Sequence, residues 1–312
     1  MRVFVTGATG FVGSHMVRRL LMEGADVHIL ARRNSSLVRI EDIVTKLTVH
    51  NGDIMDSQSL VEILAKIQPD RIFHFANAGV YGGVSAESEE LHRINVTGLE
   101  NLLNAARSLD YEAFVNIGSS SEYGPKKMPM KEDDECNPVS AYGFSKLQAT
   151  KLSQQEAVLY QKPIATFRIF SPYGPHDNPS RLIMQAIGHF SSKTQFRTPH
   201  KNAVRDYVYI DDVINALVIA SGNLKTHTGE IFNLGSGAEV KVWTVLEQLA
   251  RILNAEAFFE KLVPSNDIVS PTESPCWVAD ISKLKTTFPW EPTVALEDGL
   301  SRVAAWAQPK KI

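Results

Sequence analysis

Short apolar runs rich in β-branched and aromatic residues recur through the first two-thirds of the chain, at 2–6, 26–30, 46–50, 71–75, 113–117 and 163–169. Each has strand length and is bounded by turn-forming or polar residues. Longer stretches lie between them, with apolar positions three and four residues apart. In 11–23, Val12, Met16, Leu20 and Leu21 share one side of a helix, and Gly24 follows where a C-cap is needed. Such alternation predicts βαβ units, hence an α/β fold built on a Rossmann-type doubly wound parallel sheet. After Pro172 the rhythm loosens, with Pro175, Pro179, Pro199, Pro264, Pro271, Pro275, Pro289 and Pro292 falling between short elements. This predicts a smaller interleaved α/β lobe, whose core takes Trp243, Leu246 and Leu249 at helical spacing. Segments 205–216 and 229–234 are expected to return to the main sheet. One domain then comprises 1–170 with 207–236, and the second lobe 171–206 with 237–312.

The chain has 312 residues, enough to bury a core without covalent staples. Its 35 acidic and 32 basic side chains give a net charge of −3, and no long Lys/Arg run is present. That balance argues against a nucleic-acid backbone or an anionic membrane as partner. Cys136 and Cys276 form no CxxC or Cys/His metal pattern, so free thiols in a reducing compartment are expected and no metal site. The N-terminal apolar stretch is too short for a signal segment, and no apolar run approaches the roughly 18 residues of a membrane span. A cytoplasmic protein is expected.

Gly7-Ala8-Thr9-Gly10-Phe11-Val12-Gly13 stands where the first strand meets the first helix. A tight glycine turn there lets backbone N–H groups approach a pyrophosphate at the helix N-terminus. Gly7, Thr9, Gly10, Phe11 and Gly13 are therefore expected to cradle a dinucleotide. A carboxylate about 20 residues further on, at the end of the second strand, ordinarily holds the ribose 2′-hydroxyl of NAD. Here that place reads Leu30-Ala31-Arg32-Arg33-Asn34-Ser35-Ser36. With no acid and two guanidinium groups suited to a 2′-phosphate, NADP(H) is expected on Arg32 and Arg33. Asp53 and Ile54, after the third strand, are expected near the adenine, although an Asp there also serves as a turn former.

Tyr142 and Lys146 lie four apart at the start of a helix, so phenol and ammonium share a face. An ordinary tyrosine titrates near 10, about three units above neutrality, and needs a neighbouring cation before it can exchange protons readily at pH 7. Upstream, Phe114-Val115-Asn116-Ile117-Gly118 ends in Ser119-Ser120-Ser121-Glu122-Tyr123-Gly124, placing hydroxyls at the carboxyl end of a strand.

Through Gly7/Gly10/Gly13, His74-Phe75-Ala76-Asn77, Asn95, Ser119, Tyr142/Lys146, Arg205-Asp206-Tyr207 and Asn233-Leu234-Gly235-Ser236-Gly237, the chain resembles the extended short-chain dehydrogenase/reductases that act on nucleotide sugars. The resemblance covers nearly the whole chain. It implies a nucleotide-diphosphate sugar as substrate, a homodimer, and catalysis by Ser119, Tyr142 and Lys146. It adds Ala76, Asn77 and Asn95 to the cofactor site, and Ser120, Ser171 and Arg205 to the substrate site.

Sugar dehydratases of the family carry acids at the two positions occupied here by Ser120 and Ser121, which disfavours dehydration. The string Ile117 to Gly124 is most similar to 4-reductases of nucleotide-linked 4-keto-6-deoxy sugars, such as GDP-4-keto-6-deoxymannose reductase. The resemblance therefore implies NADPH-dependent reduction at C4, with Tyr142 as acid, Lys146 tuning it and Ser119 orienting the carbonyl. A nucleotide-sugar epimerase with retained cofactor is the alternative, and a redox-silent NADP-sensing regulator a remote one. Two departures stand out: Ser171 replaces the family's usual Asn, and no phosphate-clamping arginine stands near Ser270-Pro271-Thr272-Glu273. Glu122, His176 and Lys201 fit a sugar contact and a solvated loop equally well.

Overall fold

In the computed structural model, which describes residues 1–81, 84–194, 198, 200–263 and 276–308, the apolar runs become seven strands. These are β1 (Arg2–Thr6), β2 (Asp26–Ala31), β3 (Thr48–Asn51), β4 (Arg71–His74), β5 (Ala113–Ser119), β6 (Ile164–Ile169) and β7 (Ile231–Leu234). They lie in the order β7-β6-β5-β4-β1-β2-β3, every pairing parallel. The order reverses between β1 and β4, and a crevice at such a switch point is where an open α/β sheet receives its ligand. Thr6 lies opposite both Leu30 and His74, so the three strands leave the sheet level with one another at this crevice.

Side-chain alternation separates the two faces. Val3 and Val5 share a buried cluster with Met16, Val17 and Leu20 of α1 (Phe11–Met22), whereas Phe4 packs with Leu60 and Leu64 of α2 (Ser57–Ile67) and Leu99 and Leu102 of α3 (Gly98–Ala106). The long helix α4 (Ala141–Tyr160) covers β5 and β6 on that second face. Helix α1 closes as its sequence predicts, with Gly24 at φ +73° and its N–H on the Leu21 carbonyl.

Beyond Pro172 come α5 (Leu182–Ser192), α6 (Ile210–Ser221), α7 (Val242–Ile252) and α8 (Leu296–Ala307). Leu246 and Leu249 are fully buried and Trp243 packs beside them, but this core is continuous with the α1 layer rather than separate from it. Residues 231–234 rejoin the main sheet as its edge. The other expected return does not occur: Val208–Tyr209 pairs in parallel with Pro172–Tyr173, and Val204–Arg205 pairs antiparallel with Val240–Lys241. Two-residue strands flanking Asp206 are too short to extend a seven-stranded sheet, and α6 instead covers it, packing on both α1 and β5.

Asp206 itself ties the lobe together. Its buried carboxylate accepts from the Ser236 N–H and hydroxyl, the Gly237 N–H and the Ala279 N–H.

Candidate active site

The glycine turn is built by what is missing from it. Gly7 has φ +70°, and a Cβ on it would lie 2.4 Å from the Phe75 carbonyl carbon; one on Gly13 would lie 2.2 Å from the Gly7 oxygen. The turn is thereby pressed between β4 and the first turn of α1. Gly10 caps that helix without a side-chain bond, leaving the first N–H groups of α1 for a ligand. Thr9 is half-exposed at the turn, and the Phe11 ring stands against Gly174 and, edge-on, His15. These residues fit the diphosphate of a dinucleotide.

Beside the turn, the chain leaves β2 at Ala31 and folds back, Ser35 N–H bonding to the Arg32 carbonyl. Arg32 and Arg33 are exposed, and neither makes an ion pair among the described residues. Asp53 accepts from the Met55 N–H, which makes it a turn former here, while Ile54 is buried against Gly98. Ala76 is half-exposed and Asn77 exposed after β4, the Asn77 amide bonding the Phe75 carbonyl.

Asn95 is fully committed to the protein. Its amide accepts from Ala78 N–H, donates to the Ala78 carbonyl, and donates to Ser145 Oγ in α4. It lies in a π-helical turn, Arg93–Thr97, a widened geometry that the sequence pattern does not announce. Asn95 thus holds the loop after β4 to α4.

Strand β5 runs two residues further than its apolar pattern, making Ser119 its last residue. A short helical turn, Ser120–Glu122, follows: Ser119 Oγ accepts from Ser121 N–H, while Glu122 reaches back to the Ser119 N–H at 2.7 Å. The Ser119 hydroxyl hydrogen stays available to a substrate oxygen. Helix α4 opens with Ser140 Oγ accepting from Gly143 N–H. Tyr142 is half-exposed, and Lys146, one turn on, is buried with Nζ bonded to the Ile117 carbonyl at 2.5 Å. Burial pulls the Lys146 ammonium down to about 8, and the nearby Glu122 charge opposes that fall. His74, also buried and bonded to Thr6 Oγ1, is pulled down to about 3 by burial and by Lys146, so it is neutral at ordinary pH.

At the other end of the crevice, Ser171 and Arg205 line a cavity of about 210 Å³ with Tyr173, Asp177, Arg181 and Tyr207. The Arg205 guanidinium lies over the Trp277 ring, 5.5 Å from its centroid, and the Trp277 indole N–H donates to Ser120 Oγ at 2.9 Å. Ser120 is buried and accepts that bond, which joins the turn after β5 to residue 277 and, as at Ser119, leaves the hydroxyl hydrogen available to a substrate oxygen. Residues 270–273 lie outside the described residues.

Glu122 is neither a sugar contact nor a solvated loop residue. It is fully buried, and its carboxylate receives Arg168 Nε at 2.8 Å. Arg168 was the available signal, a charge inside the strand Ile-Ala-Thr-Phe-Arg-Ile that is buried on both faces. His176 packs on Trp306 and His15, and Lys201 is exposed.

The signature described as "NAD dependent epimerase/dehydratase family" matches residues 3–235. A protein described as an uncharacterized UDP-glucose epimerase of Bacillus subtilis is 30% identical, covering 98% of each chain. A UDP-glucuronate 4-epimerase of Thermodesulfobacterium geofontis is also 30% identical, over 97% of this chain and 95% of its own. Among solved structures, UDP-glucuronic acid 4-epimerase from Bacillus cereus, in complex with UDP-glucuronic acid and NAD, superposes with a TM-score of 0.87 at 26% identity, covering 98% and 99% of the two chains.

Proposed function

Because the chain belongs to the NAD dependent epimerase/dehydratase family, we propose that it is a nucleotide-sugar 4-epimerase using a nicotinamide dinucleotide that it retains between turnovers. This reading replaces the ketoreductase expected from residues 117–124, because the relatives and the superposed structure described above are described as epimerases, the Thermodesulfobacterium geofontis and Bacillus cereus proteins as 4-epimerases. Its chemistry rests on Ser119 at the end of β5, against which α4 packs with Tyr142 and Lys146 on its first turns; a reductase would use the same three residues, and the epimerase relatives are what favour epimerisation.

Tyr142, as phenolate, takes the proton of the sugar C4 hydroxyl, and Ser119 donates a hydrogen bond to the same oxygen. Lys146 stabilises the phenolate from below. A nicotinamide held at the glycine turn would supply a reversible hydride acceptor for the sugar C4. Return to the opposite face requires the sugar to turn over while its diphosphate stays held, the role we assign to Arg205 with Ser171. Tyr142 then restores the proton to the C4 oxygen, so that no proton is gained or lost over the cycle.

The exposed Arg32 and Arg33 and the missing acid support NADP over the NAD of the Bacillus cereus structure. They also favour a second reading, NADPH-dependent reduction of a 4-keto sugar. We further propose a homodimer through α4, which exposes Phe144, Val158 and Leu159.

The test is incubation of the purified protein with UDP-, TDP-, GDP- and CDP-hexoses, chromatography of the sugars, and identification of the cofactor released on denaturation. A 4-epimerase yields two C4 epimers without net NAD(P)H consumption, and Tyr142→Phe lowers the rate about 10²–10⁴-fold. Stoichiometric NADPH consumption with a 4-keto-6-deoxy sugar, and no epimer, would establish the reductase instead.

A further inference from the structure

The buried pair Glu122–Arg168 lies directly behind the catalytic residues. One carboxylate oxygen of Glu122 accepts from the Ser119 N–H at 2.7 Å and the other from Arg168 Nε at 2.8 Å. Room for it exists because residue 118 is glycine: a Cβ there would lie 2.7 Å from Glu122 Oε1. Burial raises the Glu122 carboxyl above its ordinary value, and the Arg168 charge and the Ser119 N–H oppose that rise; with both oxygens facing donors, the geometry is that of an ionised carboxylate. The groups around it are Arg168 from β6, Lys146 from α4, and Tyr123 and Cys136 from the segments after β5, the last two neutral at ordinary pH because burial raises both. Around Lys146 stand Glu122, neutral His74 from β4 and the Ile117 carbonyl from β5.

We propose that Glu122 is a positioning residue of the reaction, its carboxylate both fixing the backbone of Ser119 and serving as the buried counter-charge that keeps the Lys146 ammonium charged for Tyr142. This rests on the Tyr142–Lys146 chemistry proposed above. The argument is electrostatic. A fully buried lysine loses its proton readily, and Lys146 has already been drawn down to about 8. Of the charged groups acting on it, Glu122 is the one that opposes the loss. Tyr142 and Lys146 share protons as a coupled pair, so their one-proton form divides between phenolate with ammonium and phenol with amine. Only the first can take a proton from the sugar. Without the Glu122 charge the balance moves to the second, and the phenolate forms at higher pH.

The test follows the tyrosinate ultraviolet absorbance of the protein as purified, taking each variant minus the same variant carrying Tyr142→Phe, so that only residue 142 is read. Glu122→Gln keeps the acceptor for Ser119 N–H and removes the charge. It is expected to move the residue 142 titration upward by about one pH unit or more, a tenfold loss of phenolate below that range, with the acidic limb of kcat moving alongside and KM little changed. Glu122→Asp, which keeps the charge, should leave the titration near its original place. The double variant Glu122→Gln/Arg168→Gln also removes the guanidinium that the single variant leaves without its carboxylate, and should shift upward like the single one, which keeps the test decisive should Glu122→Gln fail to fold. A titration unmoved in the Gln variants, or moved equally by Asp and Gln, would overturn the counter-charge role. If residue 142 of the unaltered protein shows no titration below that of an ordinary tyrosine, it is the Tyr142–Lys146 reading that falls, and epimerisation lost in Tyr142→Phe would then need another explanation.

Discussion

Gly143 packs against the backbone of Ser121 so closely that a Cβ on it would lie 2.4 Å from the Ser121 carbonyl oxygen. This contact sets the distance between the two halves of the proposed catalytic group, because Gly143 follows Tyr142 and Ser121 sits two residues after Ser119. An alanine must push α4 away from the turn or bend the turn itself.

Gly143→Ala is therefore expected to lower kcat at least tenfold, with a stability loss of about 1–3 kcal/mol typical of overpacking. Steady-state kinetics with thermal unfolding checks this, and an unchanged kcat would mean that the contact does not set catalytic geometry.

How much of this was legible in the sequence depends on the range of the interaction. The glycine turn, the Tyr142–Lys146 spacing and the C-cap of α1 are local, and each stands where residue type and spacing put it. Glu122 and Arg168 are 46 residues apart, and nothing near either names the other. The bond between Trp277 and Ser120 spans 157 residues, and nothing in the sequence around either announces it. Epimerase and reductase share Ser119, Tyr142 and Lys146, so the residues that perform the proton transfer do not by themselves say whether a hydride is kept or spent.

Lys146 gives a pH dependence whose sign can be worked out. Its proton affinity is lowered on folding, from an ordinary 10.5 to about 8, so between these values the unfolded chain holds more protons and stability rises with pH. Below about 8 the folded protein carries the full cost of the buried charge, up to about 3 kcal/mol at about 1.4 kcal/mol per unit. Lys146→Met is expected to be inactive, more stable than the parent at pH 7 by up to that amount, and without this rise above pH 8. Denaturant unfolding over pH 6–11 checks it; a less stable variant at pH 7 would contradict the assignment.

Arg32 and Arg33 bear on the cofactor alone. If they hold a 2′-phosphate, replacing both with alanine should weaken NADP binding by about 1.5–3 kcal/mol, roughly 10- to 100-fold, and leave NAD almost unaffected. Ala31→Asp should favour NAD, by supplying the missing acceptor at the end of β2. Titration calorimetry with both dinucleotides decides this: no loss for either would assign the arginines to solvent, and equal losses for the two would overturn a contact with the 2′-phosphate.

Asp206 tests how the two parts of the chain are joined. Asp206→Ala leaves four donors from Ser236, Gly237 and Ala279 without their acceptor inside the protein, at an expected cost of about 3 kcal/mol or more. The neighbouring Arg205 would lose its fixed place over Trp277, so substrate KM should rise even under conditions where the variant stays folded. Unfolding curves and KM together check both effects.

The placement of β7 imposes an order on synthesis. Strand β6 is complete at Ile169, yet the neighbour that covers its outer edge, Ile231–Leu234, leaves the ribosome roughly sixty residues later, some 3–12 s at ordinary elongation rates. Until then β6 is an open edge, a template for pairing with another nascent chain. Tyr123, at the end of the catalytic turn, meanwhile lacks Asn233, to which its hydroxyl bonds. A ribosome stalled before residue 231 thus holds a nearly complete nucleotide-binding half with its reactive turn unanchored, a state suited to capture by a chaperone and unsuited to turnover.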